Sequence, residues 1–231
     1  MTDHFPTHVA WGTSQAVLDT LPPWPLQPYE QARADQFRHT HDRYAYVAAH
    51  RLARHVAAQL TGICASRLHL QQRCPTCGGA HGPPSFRDQP QVQVSLSHTR
   101  LAVAAAASLQ PVGVDVEHWD TFPPALLQNA QVFHVEERTA LAACNVLSRP
   151  QAMARLWTHK EALIKLGEVQ LDTLHHVNLA ASVAHVWPPS GKMAGRYTAA
   201  QWQDDPHRLV GTVLVIGRSP VTLTVIASSN R

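Results

Sequence analysis

The sequence predicts an α+β fold made of two pseudo-two-fold-related halves, each a helix packed on a small antiparallel sheet. Two observations lead there. Each half holds one long helical segment with short strand-like stretches around it, and a glycine closes both of those helices. The resemblance between halves is one of element order, since no sequence repeat is visible. We place the halves at residues 1–112 and 113–231.

Taken in order, Pro6, Pro22, Pro23, Pro25 and Pro28 mark residues 1–30 as strand and extended loop. Asp42 stands where a cap would open a long helix, which runs to about Leu60 and ends at Gly62. A Pro/Gly-rich loop spans Cys74–Pro90. Gln91–Ser97 and Leu101–Ser108 then read as a hairpin. In the second half, Pro123 and Pro124 open a helical region that Glu136–Cys144 continues. Pro150 starts the main helix, in keeping with the first-turn preference of proline, and Gly167 stops it. Tyr197–Trp202, Arg208–Ile216 and Val221–Ala227 read as three antiparallel strands, with turns at Asp205-Pro206 and Ser219-Pro220.

At 231 residues, 45% hydrophobic and 15% charged, the chain is long and apolar enough to bury a core. Its longest apolar run, Leu101–Ala107, is too short to span a bilayer, and the N-terminus lacks a signal-peptide layout, so a cytoplasmic location is expected. A net charge of +3 does not call for nucleic acid. It suits a polyanionic small molecule or an acidic protein, and with 16 histidines the charge climbs below about pH 6.5. Cys64, Cys74, Cys77 and Cys144 are expected as reduced thiols.

Two acidic segments carry the chemistry. Gly113-Val114-Asp115-Val116-Glu117 puts two carboxylates on one face of a strand, with Val114 and Val116 turned to a core. The pair is either a solvated strand end or half of a hard-cation site completed by water and phosphate oxygens. Trp157-Thr158-His159-Lys160-Glu161-Ala162-Leu163-Ile164-Lys165 lies on the second-half helix. Glu161 and Lys165 have the spacing of an ordinary surface ion pair. Lys160, however, falls inside the apolar stripe of Met153, Leu156, Trp157 and Ile164, and a phosphate site beneath the helix accounts for that placement. Together these residues point to a magnesium-dependent transferase acting on a phosphate-bearing substrate. On the first-half helix, Arg43, His50 and Arg54 form a basic stripe opposite Ala45, Leu52 and Val56, so it should face away from the core.

These motifs resemble the 4′-phosphopantetheinyl transferases of the larger, surfactin-synthetase-activating type. That family carries Gly-x-Asp-x-Glu followed by Trp-x-x-Lys-Glu-(Ala/Ser)-x-x-Lys, and Ser95-Leu96-Ser97-His98 looks like its Ser-His segment. The resemblance implies transfer of 4′-phosphopantetheine from coenzyme A to a serine of an apo acyl- or peptidyl-carrier protein, with release of adenosine 3′,5′-bisphosphate. It implies that Asp115, Glu117 and Glu161 hold Mg²⁺ on the coenzyme A pyrophosphate, and that Glu161 takes the serine proton directly or through water. By the same resemblance Lys160 and Lys165 contact phosphates and stabilise the leaving group. Ser97 and His98 also contact coenzyme A, and Arg54 and Arg43 clamp its 3′-phosphate. A monomer is expected, with coenzyme A bound between the halves.

One departure and one distractor stand out. The family's basic residue in a Gly-Lys-Pro or Gly-Arg-Pro loop is missing from Gly82-Pro83-Pro84, which leaves Arg73 or Arg87 to substitute. Cys74, Cys77 and His81 suggest zinc but lack a fourth ligand, for which Cys64 or His69 is available. Two rival readings follow: a zinc-binding interaction module, and a Mg²⁺-dependent phosphohydrolase using the same carboxylates. His134, His159, His175 and His176 read as surface or helix-end residues.

Overall fold

A computed structural model describes residues 6–74, 76–79, 82–183 and 191–227. Its order is β1 (Thr7–Thr13), α1 (Ser14–Thr20), α2 (Pro28–Asp35), α3 (Thr40–Thr61), β2 (Leu70–Gln72), β3 (Pro84–Phe86), β4 (Gln93–His98), β5 (Ala102–Ser108) and β6 (Val112–His118). There follow α4 (Val135–Ala143), α5 (Arg149–Lys165), β7 (Lys192–Ala194), β8 (Tyr197–Asp204), β9 (Leu209–Ile216) and β10 (Val221–Ile226), with short 3₁₀ turns between. The fold is α+β, as the sequence predicts.

Among the described residues the strands form two sheets, ordered β10-β1-β5-β4-β3-β2 and β6-β9-β8-β7. Four layers result. Helix α3 lays Ala45, Ala49, Leu52, Ala53 and Val56 on one face of the first sheet, against Ala10, Val103, Ala105 and Ala107. The other face of that sheet, with Val9, Trp11, Ala104 and Ala106, packs on Val114, Val116, Val213 and Val215 of the second. Helix α5 covers the far side, where Ala162 and Leu163 meet Ala199 and Leu214. Trp11 and Trp202 stack between the sheets with ring centroids 6.1 Å apart.

The alanine run of β5 explains itself in this arrangement. Alanine favours helix in isolation, but every residue of β5 is buried, with alternate side chains serving two different cores. Small side chains let both neighbouring layers approach closely, and tertiary packing overrides the local preference.

Several expectations need correction. Val221–Ile226 does not continue the second sheet: β10 crosses over and pairs parallel with β1, from Thr7↔Val221 to Gly12↔Ile226. The hydrophobic alternation was legible, but nothing local to a strand states its partner. The proline-rich opening also holds two helices, because Thr13 caps α1 through its side chain and Pro28 sits in the first turn of α2. Asp42 is in the first turn of α3 rather than at its cap, which is His39. Gly62 ends α3 in the left-handed region at φ 72°. No helix among the described residues is long and apolar enough to cross a membrane.

Of the basic stripe of α3, Arg43 stays exposed but the other two residues are turned inward. His50 and Arg54 are buried beneath α2 with Glu30. Arg54 donates to Glu30 Oε2 at 2.6 Å, to the His50 carbonyl at 3.1 Å and to the Leu68 carbonyl at 3.1 Å. His50 Nδ1 lies 2.6 Å from Glu30 Oε1 and donates to that carboxylate; burial lowers the His50 pKa, and the bond to Glu30 opposes the shift. Burial alone would raise the Glu30 pKa. Its bonds to His50 and Arg54 outweigh that and hold the carboxyl below the usual range.

A consequence is measurable. Arg54→Met should cost about 3–5 kcal/mol at pH 7, because it leaves Glu30 charged or forces it to protonate inside the core. A depressed carboxyl pKa stabilises the fold above the unfolded value and loses that contribution as pH falls. The gap between wild type and variant, read from urea unfolding, should therefore be full at pH 7 and shrink below 4.5, the ordinary glutamate value. A gap independent of pH would contradict the assignment.

Candidate active site

Gly113 sets how closely β6 approaches α5. A Cβ there would stand 2.1 Å from the Ala162 carbonyl oxygen, so only glycine allows the contact. Residues two apart on a strand share a face, and this face of β6 carries Asp115 and Glu117 toward the helix that bears Trp157, Glu161 and Lys165. Gly113→Ala should destabilise the protein by about 1–3 kcal/mol, as overpacking does. A urea midpoint equal to wild type would show that the strand can shift freely.

Asp115 is the centre of the site and is only 4% exposed. Its Oδ1 accepts hydrogen bonds from Lys165 Nζ at 2.7 Å and from Ser97 Oγ at 2.6 Å. Its Oδ2 is buried with no hydrogen-bond partner. Lys165 also donates to the Val114 carbonyl at 2.9 Å. Glu117 is half-buried, and its pKa is pushed up to about 7, chiefly by burial and then by the Asp115 charge. Lys165 and a hydrogen bond from the Trp157 side chain pull the other way. Glu161 is raised for the same two reasons, with Lys165 again opposing.

His98 ends β4 beside this cluster. Its ring keeps contact with solvent, yet the crowding of protein around it lowers its pKa, and the nearby His50 and Lys165 lower it further. Asp42 and Asp115 oppose that shift. A cavity of about 500 Å³ adjoins the site, with Thr99, Arg100 and Leu101 on one side and His118, Asp120 and Thr121 on the other. Apart from His41 of α3, its walls are the residues that follow His98 and Glu117 in sequence.

The structure therefore brings together Asp115, Glu117, Glu161, Lys165, Ser97 and His98. It does not bring Lys160. That side chain is fully buried on the other side of α5, 2.7 Å from Glu137 Oε2. It donates to the carbonyls of Val132 at 2.8 Å, Val177 at 3.1 Å and Leu174 at 3.2 Å. A lysine within an apolar stripe does need a polar destination, as the sequence implied, but the destination is Glu137 and three carbonyls rather than a phosphate. Glu137 went unremarked because an acid in the first turn of a helix is usually a surface feature.

Arg54 is likewise committed to Glu30 and two carbonyls, and Arg43 is exposed with Asp35 at 3.3 Å. Neither is joined to the carboxylate cluster by any contact described above. Arg73 is exposed, and Arg87 Nε is 3.5 Å from Asp88 Oδ1. His159, expected at the surface or a helix end, is 5% exposed, and its pKa falls to about 4 through burial and the neighbouring Lys160.

Whether a divalent cation fits can be tested on the donors present. Hard oxygen ligands, two carboxyls with raised pKa and one orphaned buried carboxylate oxygen all suit a small hard cation. Among the described residues no three His, Cys, Asp or Glu side chains are placed to hold a metal ion as they stand, Asp115, Glu117 and Glu161 included. Of the zinc suggestion, His81 lies outside the described residues, while Cys64, Cys74 and Cys77 are in no disulfide.

Fold and site together define an α+β protein with a carboxylate–lysine centre at the seam between two sheets. Residues 111–217, which contain both acidic motifs, match the family described as ACPS, the 4′-phosphopantetheinyl transferase superfamily. The 4′-phosphopantetheinyl transferase Sfp of Bacillus subtilis (strain 168) is 24% identical over 140 residues, which is 61% of this chain and 59% of that protein. The resemblance read from the motifs thus holds in both comparisons.

Proposed function

We propose that this protein transfers 4′-phosphopantetheine from coenzyme A to a serine hydroxyl of an apo acyl- or peptidyl-carrier protein, releasing adenosine 3′,5′-bisphosphate. The carrying observation is the Asp115–Lys165 centre, with Glu117 and Glu161 in its field and one carboxylate oxygen left unpartnered. It is supported by the family match over both motifs.

Asp115, Glu117 and Glu161 would hold Mg²⁺ together with the coenzyme A pyrophosphate. When bound, the ion neutralises phosphate charge and stabilises the leaving oxygen. Lys165 places a second positive charge at the same point and restrains Asp115. Glu161, whose raised pKa makes it a better proton acceptor than an exposed glutamate, takes the serine proton directly or through water. His98 is largely neutral and donates to a phosphate oxygen from the end of β4. Such a site works mainly by positioning and charge neutralisation, as phosphoryl transfers do. Arg100 and His118 line the mouth of the seam, where Arg208 is already paired with Asp120, and they offer contacts to an acidic carrier.

Release of adenosine 3′,5′-bisphosphate, followed by chromatography, tests this reading. Release should require both Mg²⁺ and an apo carrier. Equal release without any carrier would instead mark a hydrolase.

A further inference from the structure

The outer edge of β6 is satisfied in an unusual way. On one side β6 pairs with β9, from Val112↔Val215 to His118↔Leu209. On the other side the Val114 and Val116 N–H groups meet no strand. They donate instead to the hydroxyls of Ser95 at 3.0 Å and Ser97 at 3.4 Å, both on β4. Two serines two apart share a face of β4, so each closes one open donor of the neighbouring sheet. To this extent they are equivalent.

They differ in one contact. Ser97 Oγ also donates to Asp115 Oδ1 at 2.6 Å, and a hydroxyl has only one proton to give. Its roles are therefore fixed: it accepts from Val116 and donates to Asp115. Lys165 Nζ reaches the same Oδ1 at 2.7 Å. One carboxylate oxygen is held by two donors from two different sheet–helix layers, and Oδ2 alone is left without a partner in a buried setting.

We infer that Ser97 is a positioning residue that, with Lys165, saturates Asp115 Oδ1 and so presents Oδ2 as the oxygen that binds the cation. This rests on the transferase reading above and goes beyond it by giving Ser97 a carboxylate, not coenzyme A, as its partner. Partners of metal-binding groups typically change metal affinity by about 10–100-fold when removed. Ser95 supplies an internal control, because it makes the same kind of backbone bond and does not touch Asp115.

The test is Mn²⁺ binding, followed by electron paramagnetic resonance, to the full chain in the presence of coenzyme A. Wild type, Ser95→Ala, Ser97→Ala and Ser97→Thr are compared, with thermal unfolding in parallel. Ser97→Ala should weaken Mn²⁺ binding by about tenfold and raise the metal concentration for half-maximal carrier modification alike. Ser97→Thr, which keeps the hydroxyl, should recover most of this. Ser95→Ala should lower the unfolding temperature as much as Ser97→Ala does and leave Mn²⁺ affinity unchanged. Equal Mn²⁺ affinity in the two alanine variants would overturn the inference while leaving the transferase reading intact. No Mn²⁺ binding by wild type would overturn both.

Discussion

Replacing Glu137 by leucine should cost about 3–5 kcal/mol, and Lys160→Met a similar amount, because each leaves an uncompensated charge in the interior. Both side chains are fully buried and 2.7 Å apart. The ammonium also organises three carbonyls, those of Val132, Leu174 and Val177. It thus ties the segments before α4 and after α5 to the middle of α5 itself. Burial lowers the Lys160 pKa and Glu137 raises it, so the pair keeps its charge only as a pair. The Glu137→Leu/Lys160→Met double variant should recover part of the loss, since apolar side chains of similar volume often replace a buried ion pair with little penalty. Urea unfolding of the four proteins measures the coupling. Additive losses would mean that the two residues act independently, and Lys160 would again be available for another role.

Asp115→Asn should lower carrier modification by about 100-fold or more while leaving the protein folded. Asparagine has nearly the shape of aspartate, and its amide oxygen can still accept from Ser97 or Lys165. What it lacks is the charge. Asp115 is the group whose field raises the pKa of both Glu117 and Glu161, and its Oδ2 is the unpartnered oxygen. Removing that charge should let Glu117 titrate below its present value of about 7, although burial keeps it above an exposed glutamate. Initial rates at saturating coenzyme A and Mg²⁺, with circular dichroism as the folding check, decide the matter. Activity within a few-fold of wild type would remove Asp115 from the centre of the site.

Much of the candidate site's clustering was legible because its residues are close in sequence and their spacing has physical meaning. Gly113, Asp115 and Glu117 share one strand face, and Glu161 and Lys165 are one helical turn apart. The clash that a Cβ at Gly113 would make with Ala162 explains why the first position of that segment is glycine. Periodicity also located α3 and α5, with Gly62 and Gly167 just past their ends.

What stayed hidden depends on distant partners. A basic face on α3 looked solvated because Glu30, on a helix not foreseen in a proline-rich stretch, could not be seen to cover it. Lys160 looked like a ligand for phosphate because its true partner, Glu137, is a helix away. Nor could β10 be assigned to the first sheet, since a strand pattern reports its faces and not its neighbours. Ser97 had the signal of alternation with Ser95, but its bond to Asp115 crosses from one sheet to the other.

Intact-mass spectrometry of an apo carrier protein incubated with this protein, coenzyme A and Mg²⁺ tests the central claim most directly. The account predicts a gain of one phosphopantetheine on the carrier, abolished by EDTA and by Asp115→Asn. An unmodified carrier across acyl and peptidyl types, with wild-type protein that is folded and binds coenzyme A, would contradict it.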